Sequence, residues 1–313
     1  MRICLIATLL DEAPSLPAWL DSIDAQVRPP DEVVLVDGGS TDGSWELLDK
    51  WAADRAAVRL ISLPGANISA GRNAAIRAAS TEAVAVTDAG CTLDAHWLQH
   101  LARTLESGSE VAMGFYEPDA GSTLHRLIGC LNLPDASEID SDRFMPSSRS
   151  VAFLKAVWER AGGYPEWLQI GEDMYFNFQV VKAGALRTFV PQAVVRWQLR
   201  PTLRATARQY FRYGEGDGIA GMYPHRHALR FGAYAVALSA GLVVRPRRLM
   251  PAALAATAVR LRPAYRRAFR RLEPHEAAAA LVCLPALEVF LDIAKMAGYA
   301  SGVRRRKTTH PVP

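Results

Sequence analysis

Apolar positions in the first hundred residues fall into short runs separated by stretches with helical spacing. Residues 3–10 (ICLIATLL) form the first run, and from Leu16 to Gln26 the apolar residues Leu16, Trp19, Leu20 and Ile23 recur as on one helix face. A second run, EVVLVD, ends at Asp37 in GGSTDGS, after which a helix opens near Trp45. A third run, Val58 to Leu63, leads through PGANISAGRN to a helix over Arg72 to Ala79. A fourth lies in TEAVAVTDAGC and stops at Asp88 before turning over Gly90. This alternation predicts an α/β fold: a mostly parallel, doubly wound sheet with right-handed crossovers, flanked by helices.

After Asp88 the rhythm loosens. Trp97 to Leu105 reads as an amphipathic helix, Val111 to Phe115 as a strand, and 117–146 shows no period. Residues 151–160 read as a helix stopped by Gly162-Gly163, GEDMYFNFQVVKAG as a helix with acidic residues in its first turn, and Thr188 to Trp197 as a last strand. From Pro201 the pattern becomes helical throughout. Its apolar runs, Phe231 to Val244, Leu249 to Val259 and Ala277 to Leu291, are each shorter than the roughly 20 residues a membrane-spanning helix needs, and Arg245, Pro246, Pro285 and Glu288 interrupt them. The expected division is an α/β domain over 1–200, in halves 1–92 and 93–200, and a helical region over 201–313.

Charge sharpens that division. The chain carries +4 overall, yet from Arg196 onward 21 Lys+Arg stand against 6 Asp+Glu, and before it 15 stand against 26. An acidic body with a basic, intermittently apolar tail points to an anionic membrane surface as the tail's partner and not to nucleic acid. Arg196, Arg200, Arg204, Arg208 and Arg212 recur every four residues as a basic stripe, and RPRR at 245–248, an Arg cluster at 260–271 and RRRK at 304–307 follow. The four cysteines are scattered, with no CxxC pair, which fits a reducing cytoplasm, and MRICLIATLL followed by Asp11 and Glu12 reads as a first strand and not as a signal peptide.

The chemistry-bearing residues gather at strand ends. Asp37 and Asp88 each close an apolar run, where a carboxylate can accept hydrogen bonds from a ribose or base, and Gly38, Gly39 and Gly90 let a ligand approach the backbone. Either Asp alone is equally a turn cap. Arg72 and Asn73 open a helix after a glycine, where a guanidinium and backbone N–H groups would face a phosphate. Glu172 and Asp173 supply a second acidic site. Together these residues match the needs of metal-assisted group transfer from an activated diphosphate.

In order and spacing, DEVVLVDGGSTDGS, NISAGRNAAI, VTDAGC and GGYPEWLQIGEDMYFNFQV resemble a family 2 glycosyltransferase of the GT-A fold over roughly residues 1–200. The resemblance implies an inverting enzyme: an acceptor hydroxyl displaces the nucleoside diphosphate of a nucleotide sugar in one step, with a carboxylate as base and Mg²⁺ or Mn²⁺ on the diphosphate. It implies that Thr8, Leu9 and Glu12 surround the nucleotide base, that Asp37 and Gly39, two residues on, hold base or ribose, and that Arg72, with Asn73, lies near the diphosphate. Asp88, followed by Ala89, takes the first position of the DxD motif and is the implied metal ligand, and Asp173 is the implied base, with Glu172 beside it. The sequence departs from the pattern at Gly90, where the second DxD carboxylate would stand, and at Gly38. Gln209, Arg212 and Tyr213 are similar to the Q-x-x-R-W set of processive synthases, which implies contact with acceptor or diphosphate. His225 and His227 are candidates to complete a metal site.

The implied function is sugar transfer to a glycan or lipid-linked acceptor, on the cytoplasmic side of the membrane. A nucleotidyltransferase of similar fold would need basic residues in the loop after the first strand, and ATLLDEAPS has none. A non-catalytic sugar- or nucleotide-binding module is the remaining alternative.

Overall fold

The computed structural model describes residues 1–119, 121–243 and 246–309, and in it the chain forms two units: Met1–Asp119 with Ile139–Gln198, and Ala120–Glu138 with Leu199–Pro313. Residues 120–138, expected in the second half (93–200) of the first domain, thus belong with the helical region. Val244 and Arg245 lie outside the described residues, as do the side chains of Arg247, Arg248 and Lys307.

In the first unit the elements run β1 (Ile3–Leu9), α1 (Leu16–Asp24), β2 (Glu32–Asp37), α2 (Ser44–Ala52), β3 (Val58–Ser62), α3 (Ile68–Ala78), β4 (Ala83–Val86), β5 (Cys91–Leu93), α4 (Trp97–Glu106) and β6 (Val111–Asp119). The second unit contributes α5 (Thr123–Asn132). The first then resumes with β7 (Val151–Leu154), α6 (Lys155–Arg160), α7 (Glu172–Lys182) and β8 (Arg187–Gln198). The eight strands form one sheet in the order β3-β2-β1-β4-β7-β6-β8-β5. The first four strands are parallel, β4–β7, β7–β6 and β8–β5 pair antiparallel, and β6–β8 is again parallel. The sheet is therefore mixed beyond β4.

Alternation along β1 shows how the sheet is covered on both faces. Ile3, Leu5, Ala7 and Leu9 pack with Trp19 and Ile23 of α1, Leu48 of α2 and Trp97 and Leu101 of α4. Cys4 and Ile6 pack on the opposite face with Ile76 of α3, Val157 of α6 and Phe176 and Val180 of α7. Residues 151–154, expected to begin a helix, are a strand between β4 and β6, because a centrally placed strand buried on both faces shows no polar alternation that would mark it. The helix expected from Arg72 begins a turn earlier, at Ile68, where Asn67 caps it by accepting from the Ala70 N–H at 2.9 Å. Arg72 and Asn73 consequently lie in its second turn, away from its free N–H groups.

The second unit packs α5 with α8 (Leu203–Ala220), α9 (Pro224–Val243), α10 (Pro246–Arg271) and α11 (Pro274–Thr309). Leu127 and Cys130 of α5 share a core with Leu261, Ala264 and Ala268 of α10 and Ala280 and Leu284 of α11. Helices α8 and α11 meet backbone to backbone through two G-x-x-x-G pairs. A Cβ on Gly214 would lie 2.1 Å from the Lys295 carbonyl oxygen, and one on Gly298 1.9 Å from that of Phe211. Gly218 and Gly302 are equally tight, so any side chain at these four positions would push the helices apart. Helix α11 continues past both ends of the apolar run Ala277 to Leu291 and through Pro285. Its stretch Pro274–Arg306 is long and apolar enough to cross a membrane by length and composition, which corrects the expectation that every tail run is too short.

Candidate active site

The turn after β4 sets the position of Asp88. Cys91 N–H donates to the Asp88 carbonyl at 3.1 Å, and Ala89 and Cys91 are buried in the core beneath. Its carboxylate faces two guanidiniums. Oδ1 accepts from Arg72 Nη2 at 2.8 Å, and Oδ2 lies 3.6 Å from Arg149 Nε.

Arg72 is the hub. It is 2 % exposed, its Nη1 donates to Glu172 Oε1 at 2.8 Å, and its guanidinium lies 5.3 Å from the centre of the Tyr164 ring. Burial opposes its charge, but Asp88 and Glu172 outweigh burial and hold the proton more firmly than in water. Burial, then Asp173, raises the Glu172 carboxyl pKa above its ordinary value, and Arg72 counteracts them. Tyr164, which shares a hydrogen bond with Ser148 at 3.0 Å, is pushed up to about 12 by burial. Arg72 thereby ties the turn after β4 to the first turn of α7, through a partner, Glu172, that lies 100 residues from it in the chain.

The neighbouring Asp173 is only partly buried. Its Oδ1 accepts from the Met174 N–H at 2.8 Å, and its Oδ2 accepts from the Ser147 hydroxyl at 3.4 Å. Ser147 also accepts from Arg149 Nη1 at 2.9 Å, and Arg149 lies over the Trp197 ring, 4.2 Å from its centre. Asp88, Arg72, Arg149, Ser147, Glu172 and Asp173 thus form one connected charged group. Of the two acidic residues expected at the α7 terminus, Glu172 faces inward on Arg72, and Asp173 is the more exposed.

Other expected residues take different places. Glu12 comes near the turn from the β1–α1 loop: a Cβ on Gly90 would lie 3.7 Å from its Oε2, which also accepts from Ser15 at 2.8 Å. Thr8 is packed on α3, where a Cβ at Gly71 would lie 2.3 Å from its methyl, and the Leu9 carbonyl accepts from Gly38 N–H at 2.9 Å. Asp37 is buried and caps its own turn, accepting from the Gly39 and Ser40 N–H groups at 2.9 and 3.0 Å and from the Ser40 hydroxyl. Gly39 needs its freedom, with φ 98° and Pro64 Cα 3.1 Å from where a Cβ would sit.

Asn73 is corrected: it does not face a phosphate. Its amide donates to the Tyr164 carbonyl and Glu166, and its oxygen accepts from Trp158 Nε1 and Tyr164 N–H, which uses its full capacity as a clamp between α3 and the 158–166 segment. His227 is corrected as well. It is buried in the helical unit, stacked on Tyr299 with ring centres 3.7 Å apart, and its Nε2 lies 2.9 Å from Asp217 Oδ2. Gln209, Arg212 and Tyr213 lie on α8, where Gln209 donates to the Tyr213 hydroxyl.

The donor set at the Asp88 turn is a poor match for a divalent cation. Gly90 offers no oxygen ligand, and the Cys91 thiol is soft and held protonated, its pKa pushed up to about 12 by burial and by Asp88. Among the described residues no three His, Cys, Asp or Glu side chains converge as metal ligands. The residues present do not fit a protein-held metal.

Residues 4–130 match the family model described as glycosyl transferase family 2. The O-antigen chain rhamnosyltransferase RfbN of Salmonella typhimurium is 22% identical over 231 residues, covering 68% of this chain and 72% of that one. Among solved structures, the mannosyltransferase PcManGT from Pyrobaculum calidifontis, in complex with GDP-Man and Mn²⁺, superposes with a TM-score of 0.58 at 21% identity, covering 99% of this chain and 88% of that one. S. aureus TarS 1-349 in complex with UDP gives 0.55 at 14% identity, covering 100% and 93%. At such identities these structures share the fold. The family match spans β1 to α5 and thus the Asp37 and Asp88 turns, and with these relatives it identifies the chain as a glycosyltransferase whose residues 4–130 match the family 2 model.

Proposed function

We propose that this enzyme transfers a sugar from a nucleotide-diphosphate donor to an acceptor hydroxyl with inversion, and that the acceptor is a lipid-linked or cell-envelope glycan. The observation that carries the first part is the Arg72 bridge, which brings the carboxylate at the donor end of β4 beside the first turn of α7. There Asp173 takes the proton of the attacking hydroxyl as its oxygen bonds to the anomeric carbon and the nucleoside diphosphate leaves. Asp88 and Arg72 line the donor side. Glu12 and the Thr8–Leu9 strand end flank the same turn and are assigned to the nucleotide. Asp37 and Gly39 shape its pocket by fixing the β2 turn. Incubating the enzyme with UDP-, GDP- and dTDP-sugars and a lipid-diphosphate glycan acceptor, then reading the product's anomeric configuration by NMR, tests this. The expected product has the configuration opposite to the donor, and a retained configuration would sink the single displacement. The relatives' own products support an envelope glycan, since RfbN is named for O-antigen synthesis.

The helical unit is proposed to sit on an anionic membrane face in the cytoplasm. It leaves Val236 and Leu238 of α9, Leu254 and Val259 of α10 and Val282 of α11 exposed, and on α10 the exposed Arg262 and Arg266 stand beside the equally exposed Phe269. Interfacial helices combine an apolar face with basic residues, and each contributes about 1 kcal/mol near anionic lipid. The full chain should sediment with vesicles containing phosphatidylglycerol at low salt. Arg262→Glu with Arg266→Glu should weaken that binding by at least about tenfold, and equal sedimentation of parent and variant would remove this role.

A further inference from the structure

The structure leaves a charge to be explained at the Asp88 turn. Gly90 removes a carboxylate, and Arg149 adds a guanidinium 3.6 Å from the one that remains. With Arg72 already on Oδ1, Arg149 at Oδ2 brings a further positive charge to this turn. We infer that Arg149 replaces the divalent cation in this enzyme, by binding the donor's diphosphate and holding the charge it gains as it leaves. This rests on the nucleotide-sugar reading above.

Three observations carry it. Arg149 is built into place and not merely nearby: its guanidinium lies over Trp197 at 4.2 Å and donates to Ser147, so a planar fork is oriented before any ligand arrives. It keeps 20 % of its side-chain surface, so a diphosphate can reach it, whereas Arg72 at 2 % is committed to Asp88 and Glu172. The Asp88 carboxylate, with a guanidinium beside each oxygen, is a poor site for a hard cation, because both positive neighbours repel it and position 90 offers no second ligand. Arginine matches the oxygens of a phosphate in a two-point geometry, which a compact ammonium lacks.

In the step itself, the acceptor oxygen forms its bond to the anomeric carbon, the bond from that carbon to the diphosphate oxygen breaks, and its electron pair leaves with the diphosphate. The acceptor proton goes to Asp173. Arg149 makes and breaks no covalent bond; it donates hydrogen bonds to oxygens whose negative charge is growing, which lowers the barrier by differential stabilisation.

Calorimetry with UDP, GDP and dTDP, each with EDTA or with Mn²⁺, tests the inference on the full chain, with UMP, GMP and dTMP as monophosphate controls. The expected result is that the nucleotide bound best binds as its diphosphate within about threefold in the two conditions. Arg149→Ala should then weaken diphosphate binding at least tenfold and monophosphate binding little, while Arg149→Lys recovers part of the loss. A purely structural role for Arg149 would weaken both nucleotide forms alike, and that outcome overturns the inference. So does diphosphate binding that falls at least tenfold in EDTA, while leaving the donor reading intact. Absence of binding to all three diphosphates in both conditions overturns the donor reading and this inference together.

Discussion

Asp173→Asn is expected to cut sugar transfer by about 10²-fold or more while leaving nucleotide binding within about twofold, because a positioned general base contributes on that scale. The amide is nearly isosteric and keeps an oxygen for the Met174 N–H, so the first turn of α7 should hold its shape. What it loses is the ability to take a proton. The position suits an anion: Asp173 is in the first turn of α7, where the helix dipole favours negative charge. The comparison that gives the result meaning is Glu172→Gln. That residue is buried on Arg72, so its substitution should act on stability and on the placement of Asp88 more than on proton transfer. Transfer by Asp173→Asn at the parental rate would end the assignment, and a loss confined to Glu172→Gln would move the base to Glu172.

Much of the first unit was legible in the sequence, and the reason is local. The apolar runs of β1, β2 and β4 give way within two residues to Asp11, Asp37 and Asp88, so both the strands and the turn-bearing Asp37 and Asp88 announce themselves. Where tertiary contacts decide, the reading loses its footing. Residues 151–154 look like the start of the helix that follows them, and only pairing with β4 and β6 makes them a strand. Asn67, a good cap, marks the α3 start in the chain itself, although Gly71-Arg72-Asn73 four residues on is the more prominent pattern. Gly71 is there for a different reason, the approach of Thr8.

Of the site, the sequence showed the residues and not the connections. Arg72 and Glu172 were both candidates, yet nothing in the spacing says that residues 100 apart share a hydrogen bond. Arg149 and Ser147 carried no signal at all, because they lie between the aperiodic stretch 117–146 and the run at 151 and act through Asp88, Asp173 and Trp197, which come from three other segments. The departure at Gly90 was visible, and the missing carboxylate is the one clue that could have prompted a search for a compensating cation. Asn73 shows the opposite failure: a residue type suited to binding, beside a suited Arg, is spent on holding α3 to the 158–166 segment.

The largest stability effect should come from Arg72→Met, which is expected to cost about 3–5 kcal/mol, the usual penalty for stripping one partner from a buried ion pair. Arg72 spans two carboxylates that are not equally exposed: Asp88 keeps about a quarter of its side-chain surface and can be hydrated, while Glu172 keeps 8 % and cannot. The cost therefore falls chiefly on Glu172, and Arg72→Met combined with Glu172→Gln should recover a substantial part of it. Burial and Asp173 already raise the folded-state pKa of Glu172, and Arg72 is what restrains that rise. Without it the folded protein holds the proton more tightly than the unfolded chain, whose glutamates titrate near about 4.3. In that window the folded state binds more protons, so stability falls as pH rises. The single variant should thus be closest to the parent near pH 5 and furthest below it at pH 7, a widening that the double variant lacks. All seven tryptophans lie at or before Trp197, in the first unit, so urea unfolding followed by tryptophan fluorescence reports on this unit. A deficit under about 1 kcal/mol at pH 7, or one that Glu172→Gln does not reduce, would mean that the bridge does not hold β4 and α7 together as argued.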